Sequence, residues 1–212
     1  MNKSLISALL LFMANTITAQ ILPQPQHSDG GMSLDKALRL RKSSREFDPA
    51  KELSPQQLSN LLWAAVGINR PEEDKLTNPT ALNKQEISVY VFTKNDVSLY
   101  NAKANSLNKV ADGDHRDILS RRGEFVQEFV LDAPVVLVMV ADIAKFEMPA
   151  ESSMLMGAVD AGIVCQNINL FCAANGLATV PRASMEIAAV SALLNLAPTQ
   201  IPVLNNPVGY AK

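Results

Sequence analysis

Two arginines and a serine within five residues could hold an anion or the polar edge of a ring. Arg41, Ser43 and Arg45 lie at the predicted end of the first helix. Arginine presents a rigid fork of donors that suits phosphate or carbonyl oxygens. The alternative is a solvated basic cluster, because cations at a helix C-terminus offset the helix dipole. Taken alone, this segment favours the solvated cluster.

Three further segments carry polar groups at the ends of predicted elements. Thr80, Asn83 and Gln85 stand just before a predicted strand, where their hydroxyl and amide groups could satisfy a heterocycle or serve as ordinary loop chemistry. The segment after Pro181 could present the backbone amides of residues 183 and 184 to an electron-rich ligand, close to the N-terminus of the next helix. Lys212 adds a cation at the chain end.

Composition argues against several other kinds of site. The only histidines, His27 and His115, are far in sequence from Cys165 and Cys172, which argues against a metal site and against Ser-His-Asp or Cys-His hydrolysis. The cysteines are seven residues apart in a helical segment, about 10 Å along its axis, beyond disulfide range. We expect both to be buried thiols. A net charge of −2 without a basic run argues against nucleic-acid binding.

The N-terminus has the pattern of a secretory signal peptide. Lys3 precedes an apolar stretch from Leu5 to Ala14, which is too short to span a bilayer. We predict a signal peptide over residues 1–19 with cleavage after Ala19, an exported and periplasmic protein, and no stable membrane anchor. An uncleaved N-terminal anchor is the alternative. Residues 20–32 are then an extended leader.

The rest of the chain predicts one α+β domain over residues 33–212, with a central sheet flanked by helices. Ser33 is predicted to begin a helix that ends at 42–44, and Ser54 and Pro55 to begin another that ends at Gly67. Strands are predicted at 87–92, 134–140, 178–180 and 201–210, with a weaker one within 97–110. Further helices are predicted at 114–131 with an interruption near Gly123, at 149–175, and at 185–196.

The order of these segments resembles the nitroreductase family from Leu34 to Lys212. The matching motifs are Arg41-x-Ser43-x-Arg45, Pro79-Thr80-x-x-Asn83-x-Gln85, Asp160-x-Gly162, Gln166-Asn167, Gly176-Leu177-x-Thr179-Val180-Pro181 and Val208-Gly209-Tyr210. The stretch Leu61–Arg70 also occurs in the azoline-oxidising branch. The resemblance implies a mainly antiparallel sheet flanked by helices, FMN as cofactor, and a homodimer with the flavin at its interface.

The resemblance also implies roles for individual residues. Arg41 and Ser43 would hold the ribityl phosphate of FMN, and Arg45 the pyrimidine edge of its ring. Asn83, with Thr80 and Gln85 beside it, would contact the ring edge or ribityl chain.

On the opposite segment, Pro181 would join the cofactor site, and the backbone at Ala183 and Ser184 would approach N5. Lys212 is the one terminal cation where many members have two, so phosphate binding could be shifted onto Arg41 and Arg182. Glu86 stands where proline is common.

The function implied is an FMN-dependent oxidoreductase that acts on small molecules. It would pass electrons from NAD(P)H, or from another periplasmic reductant, to a nitro compound, a quinone or a similar acceptor. No side chain is predicted to be catalytic, because the flavin carries the chemistry. The alternatives are a non-catalytic flavin-binding protein and an azoline-type dehydrogenase. The long apolar helix at 149–175 independently predicts a two-fold dimer.

Overall fold

A computed structural model describes residues 19–26 and 31–212 of the protein. The predicted signal peptide, apart from Ala19, and the predicted leader residues 27–30, including His27, lie outside the described residues.

A seven-stranded antiparallel sheet forms the centre of the fold. Its strands, in spatial order, are β1 (Ala19–Ile21), β6 (Ser106–Asp112), β5 (Asp96–Asn101), β4 (Ile87–Phe92), β9 (Val135–Asp142), β11 (Gln200–Tyr210) and β10 (Leu177–Thr179). Two small hairpins lie outside it and consist of β2 (Ile68–Arg70) with β3 (Lys75–Leu76) and β7 (Arg121–Arg122) with β8 (Phe125–Val126). The predicted antiparallel sheet is therefore confirmed.

Helices cover both faces of this sheet. They are α1 (Leu34–Leu40), α2 (Pro55–Val66), α3 (Asp117–Ser120), α4 (Phe129–Asp132), α5 (Ala150–Ala174) and α6 (Ile187–Leu193). Along β9, Leu137 and Met139 belong to the hydrophobic core shared with α2 and α5, whereas Val136 and Val138 belong to the core shared with α3, α4 and α6. The uninterrupted apolar sequence of this strand thus reflects burial on both faces, as predicted.

The predicted helix starts are confirmed by their capping bonds. The Ser33 hydroxyl accepts from the amide of Lys36, and Ser54 and Gln57 form a reciprocal capping box. The first helix ends at Leu40, earlier than the predicted 42–44. The following segment leaves the helix at Arg41, and the amide of Ser44 donates to the carbonyl of Thr179 at 2.9 Å instead.

The predicted helix at 114–131 is wrong. The structure has the single turns α3 and α4, with the β7–β8 hairpin between them. Gly123 sits at the hairpin tip with a φ of +59°, which breaks a helix, and its amide donates to the Glu186 carboxylate. The weaker strand predicted within 97–110 is two strands, β5 and β6.

The long predicted helix is confirmed as α5, and Gly176 follows its end with a φ of +67°. At Gly157 the helix backbone packs closely on β9, because a Cβ there would lie 2.8 Å from the Cβ of Ala141. Cys165 and Cys172 are buried free thiols, as predicted. By length and composition α5 could span a membrane, but here it is a core helix that packs on the sheet.

The described part of the predicted leader is bound to the domain. β1 pairs with β6 and forms the edge of the sheet, and Leu22 is buried. Asn105, at a φ of +45°, holds the segment that follows. Its Nδ2 donates to the Pro23 carbonyl at 2.8 Å and to the Ser59 hydroxyl at 3.1 Å, while its Oδ1 accepts from Tyr100 at 3.0 Å.

Removing the Asn105 side chain should therefore loosen the N-terminal strand. We expect Asn105→Gly, which tolerates the positive φ, to lower the free energy of unfolding by about 2 kcal/mol, because buried partners lose their hydrogen bonds. Asn105→Ala should lose more, since alanine is strained at that φ. Urea unfolding of the purified chain measures both, with the exposed Asn95→Ala as control. Wild-type stability of Asn105→Gly would contradict the assignment.

Candidate functional site

The first predicted segment lies along β10 at one end of the sheet. Arg41 is the half-buried C-cap of α1, and Ser43 and Arg45 are exposed. The bond from Ser44 to Thr179 fixes this segment to β10. Just beyond it, the buried Phe47 pairs with Ala211, which brings the C-terminal end of the chain to the same place.

Lys212 is therefore a neighbour of the basic segment. It is exposed, and its charge adds to the effect of Lys51, which is the main cause of the lowered pKa of Asp48. The two predicted cationic segments, at 41–45 and at the chain end, thus meet at one edge of the sheet.

Two cations of this region, Arg41 and Arg45, form no ion pair with any described residue. Within the described part of the chain, no carboxylate lies within 4.0 Å of the guanidinium of Arg41 or Arg45. Burial lowers the pKa of Arg182 to about 10, and the like charge of Arg45 contributes to the shift. A site with arginines that have no ion-pair partner attracts an anion.

Arg182 itself is a structural residue. Its Nε donates to Gln127 at 2.8 Å, its Nη1 to Asn205 Oδ1 at 2.6 Å, and its Nη2 to the Leu119 carbonyl at 3.0 Å. Its ring neighbour is Phe129, 5.6 Å from the guanidinium carbon to the ring centroid. The three nitrogens of the Arg182 guanidinium thus donate to neutral oxygens inside the protein. Arg182 therefore supports the site by its charge, and its guanidinium is not free to bind a phosphate.

The segment that contains Arg182 presents two free backbone donors. Residues 182 and 205 exchange two backbone hydrogen bonds, at 2.8 and 2.7 Å, and Asn205 Nδ2 also donates to the Ser184 carbonyl. These bonds hold the backbone in place. Within the described residues, the amides of Ala183 and Ser184 donate no hydrogen bond, and Ala183 is exposed. The amides are therefore available to a ligand.

A cavity of about 190 Å³ lies between the basic segment and α5. Its lining includes Lys42, Ser44, Asn169, Thr179 and Ala211. Asn206 Nδ2 donates hydrogen bonds of 3.1 Å to Asn169 Oδ1 and to the Thr179 hydroxyl. The buried Oδ1 of Asn206 has no hydrogen-bond partner among the described residues. A cavity lined by Lys42 and Ser44, beside arginines without ion-pair partners, suits a polar ligand that carries negative charge.

The second predicted group is a strained turn in front of β4. Leu82, Asn83 and Gln85 have φ values of 53°, 55° and 48°, a conformation that is costly for these residues. The Thr80 hydroxyl accepts from the Gln85 amide at 3.0 Å, and Gln85 Nε2 donates to the Asp74 carbonyl at 2.7 Å. Thr80 and Gln85 therefore use these groups to shape the turn, whereas the Asn83 side chain is exposed.

Asp160 fixes this turn to α5. Its Oδ2 accepts from the amide of Ala81 at 2.7 Å, although the two residues are 79 positions apart in sequence. The basic segment and β10 meet α5 near Asn169, nine residues further along. At 1.5 Å per residue, the two groups lie roughly 14 Å apart along the helix axis. Within one chain, the predicted site residues thus form two separate groups.

Sequence reasoning missed the residues that hold these groups in place. The bonds of Asp160, Asn205 and Asn206 join segments that are distant in sequence, so no local pattern shows them. Asp160 did belong to a motif shared with the family, which was the one available signal. The positive φ at Leu82 also had no sequence signal, whereas asparagine, as at Asn83, is one of the residues that tolerate this conformation.

Comparisons of the sequence and of the structure with known proteins point to the same family. The sequence model of the Nitroreductase family matches residues 38–210. A crystal structure described as a candidate nitroreductase from Ralstonia eutropha JMP134 is 33% identical, covers 92% of this chain and 90% of its own, and has a TM-score of 0.82. No curated protein matches the chain.

More distant structures share the fold. One described as a candidate NADH oxidase from Clostridium acetobutylicum is 21% identical over 85% of this chain and 88% of its own, with a TM-score of 0.57. One described as a candidate NAD(P)H:FMN oxidoreductase from Staphylococcus epidermidis ATCC 12228 is 12% identical over 90% of this chain and 91% of its own, with a TM-score of 0.62.

Proposed function

Because the chain belongs to the nitroreductase family and is an oxidoreductase in the general sense, we propose that it is an FMN-dependent enzyme acting on small molecules. The observation that carries the proposal is the set of unpaired cations at Arg41 and Arg45 beside the free amides of Ala183 and Ser184. FMN has a dianionic phosphate at one end and hydrogen-bond acceptors on its ring at the other. The arginines and the backbone amides of the site are donors that suit both the phosphate and the acceptors on the ring.

Each group of the site has a role toward this cofactor. Arg41 and Ser43, with Lys212, hold the phosphate and ribityl end by charge-assisted hydrogen bonds. Arg45 would lie at the pyrimidine edge, where a cation would favour the electron-rich form of the ring, and the buried charge of Arg182 would add to this field. The amides of Ala183 and Ser184 donate at the N5 side. When bound, the flavin accepts and passes on a hydride or electrons.

A homodimer completes the site in this proposal. Leu155 and Val159, on α5, are 58% and 52% exposed, although they lie on a core helix. One to two turns further on, the space beside Gly162 is open, since a Cβ at this position would meet no described atom outside the helix within 4 Å. A second α5 packed here around a two-fold axis would cover the apolar face. It would also bring the turn at Thr80–Gln85 of one protomer toward the basic segment of its partner.

The donor is NAD(P)H or another reductant, and the acceptor is a nitro compound, a quinone or a similar oxidant. A flavin-binding protein without turnover is the competing function. It would bind FMN through the same residues and reduce no acceptor, so kinetic assays with NADH and NADPH separate the two.

Loss of either unpaired arginine should weaken FMN binding. We expect Arg41→Ala and Arg45→Ala each to raise the dissociation constant about tenfold or more, because each removes a hydrogen bond from a charged donor. Flavin fluorescence quenching measures this. Arg39→Ala is the matched control, since Arg39 pairs with Asp35 and is well exposed. Equal affinity of all three variants would contradict the proposed binding site.

Charge on the exposed face of α5 should prevent dimer formation. We expect Leu155→Lys with Val159→Lys to sediment with the mass of a single chain and to lose FMN affinity at the same time, because half of each site comes from the partner. Val110→Lys, on β6, is a control at another exposed apolar position. A double variant that stays dimeric would place the interface elsewhere.

We further propose that the protein is exported and works in the periplasm. The support is the sequence pattern of residues 1–19 alone. Cell fractionation followed by N-terminal sequencing tests it, and we expect a periplasmic chain that begins at or close to Gln20. A cytoplasmic chain that still begins at Met1 would overturn the proposal, and cytoplasmic NAD(P)H would then be the natural donor.

A further inference from the structure

Two buried carboxyl groups lie next to the turn at Thr80–Gln85. Glu86 directly follows the turn and is fully buried, and Asp160, which binds the turn, is 3% exposed. Among the described residues, Glu86 is the one acidic side chain whose two oxygens are both buried without a hydrogen-bond partner. A buried carboxylate without a partner is costly, whereas its protonated form is much less so.

The groups around Glu86 do not neutralise it. Asp160 is close enough to share a hydrogen bond with Glu86 when one of the two carboxyl groups carries a proton, and the two groups repel each other when both are ionised. Lys145 is the facing cation, but its ammonium donates to the Gln85 carbonyl at 2.9 Å. Burial, and then Asp160, raises the pKa of Glu86 to about 7.

The other charged groups nearby have partners of their own. The Asp142 carboxylate, at the end of β9, accepts from the amide of Ala144, and only its backbone amide reaches the Glu86 carbonyl. Lys84 faces the exposed Glu147 at 3.8 Å. Asp160 and Lys145 are thus the two groups whose charges act on Glu86.

We propose that Glu86 is a positioning residue which carries a proton in the closed turn and thereby sets how firmly the turn is held for FMN. An uncharged Glu86 leaves Asp160 as the single buried negative charge. Asp160 then holds the Ala81 amide, and with it the strained backbone at Leu82 and Asn83. The inference rests on the proposed function, because that function assigns a flavin contact to this turn.

The direction of the pH dependence follows from proton uptake on closing. An open turn exposes Glu86 to water, where its pKa is near the ordinary 4.5, and a closed turn raises it to about 7. Closing is therefore most favourable below about pH 4.5. It weakens as the pH rises toward 7 and changes no further above that, because Glu86 is then charged in both states.

FMN affinity of the full chain, measured between pH 5 and 8, tests the inference. We expect the dissociation constant of the wild type to rise at least about tenfold from pH 5 to pH 7, since each unit of pKa difference is worth tenfold. Glu86→Gln keeps the shape without the ionisable proton and should remove this rise. Glu147→Gln, an exposed change beside the same turn, is the matched control and should retain it.

Hydrogen exchange at the Ala81 amide of the FMN-free chain gives a second measurement that does not depend on the cofactor. Its protection factor should fall over the same pH range in the wild type, stay constant in Glu86→Gln, and fall at lower pH in Asp160→Asn. The same pH dependence in the wild type and in Glu86→Gln would overturn the inference. A chain that binds no FMN but shows these protection factors would support the role of Glu86 and refute the proposed function.

Discussion

The close packing of α5 on the sheet is the interaction on which both halves of the site depend. Gly157 allows the helix backbone to approach Ala141 on β9, and this contact fixes the level of every residue along the helix. From that position Asp160 reaches the turn before β4, and Asn169 reaches Asn206 beneath the cavity. A larger residue at position 157 would displace the helix and both sets of contacts together.

The regular part of the fold could be predicted because its signals are local. The uninterrupted apolar residues of β9, the capping box at Ser54 and the length of α5 each have one physical interpretation. The prediction of a helix over residues 114–131 was wrong because the composition of these residues is ordinary for a helix. The conformation of this segment is decided by the tip at Gly123, whose amide binds Glu186, and by Arg182, which takes the Leu119 carbonyl. Those contacts exist only once the chain is folded.

The candidate residues of the site could be proposed from the sequence, whereas their arrangement in space could be predicted only in part. The spacing of Arg41, Ser43 and Arg45 left both an anion site and a solvated basic cluster open, and among the described residues the structure shows no ion-pair partner for Arg41 or Arg45. Their position beside β10 and the chain end could not be derived, because it depends on backbone bonds from residues 44 and 47. Likewise, nothing in the local sequence indicates that Arg182 is held by neutral acceptors.

The N-terminal strand β1 protects part of one edge of the sheet. It covers the hydrogen-bonding edge of β6 at Ser106–Asn108, while the uncovered remainder of that edge carries the charged Lys109 and Asp112. Charges on an open edge discourage pairing with another chain, and a covering strand does so where charges are absent. A chain trimmed beyond Ile21 would therefore expose its uncharged stretch of edge and become prone to edge-to-edge aggregation.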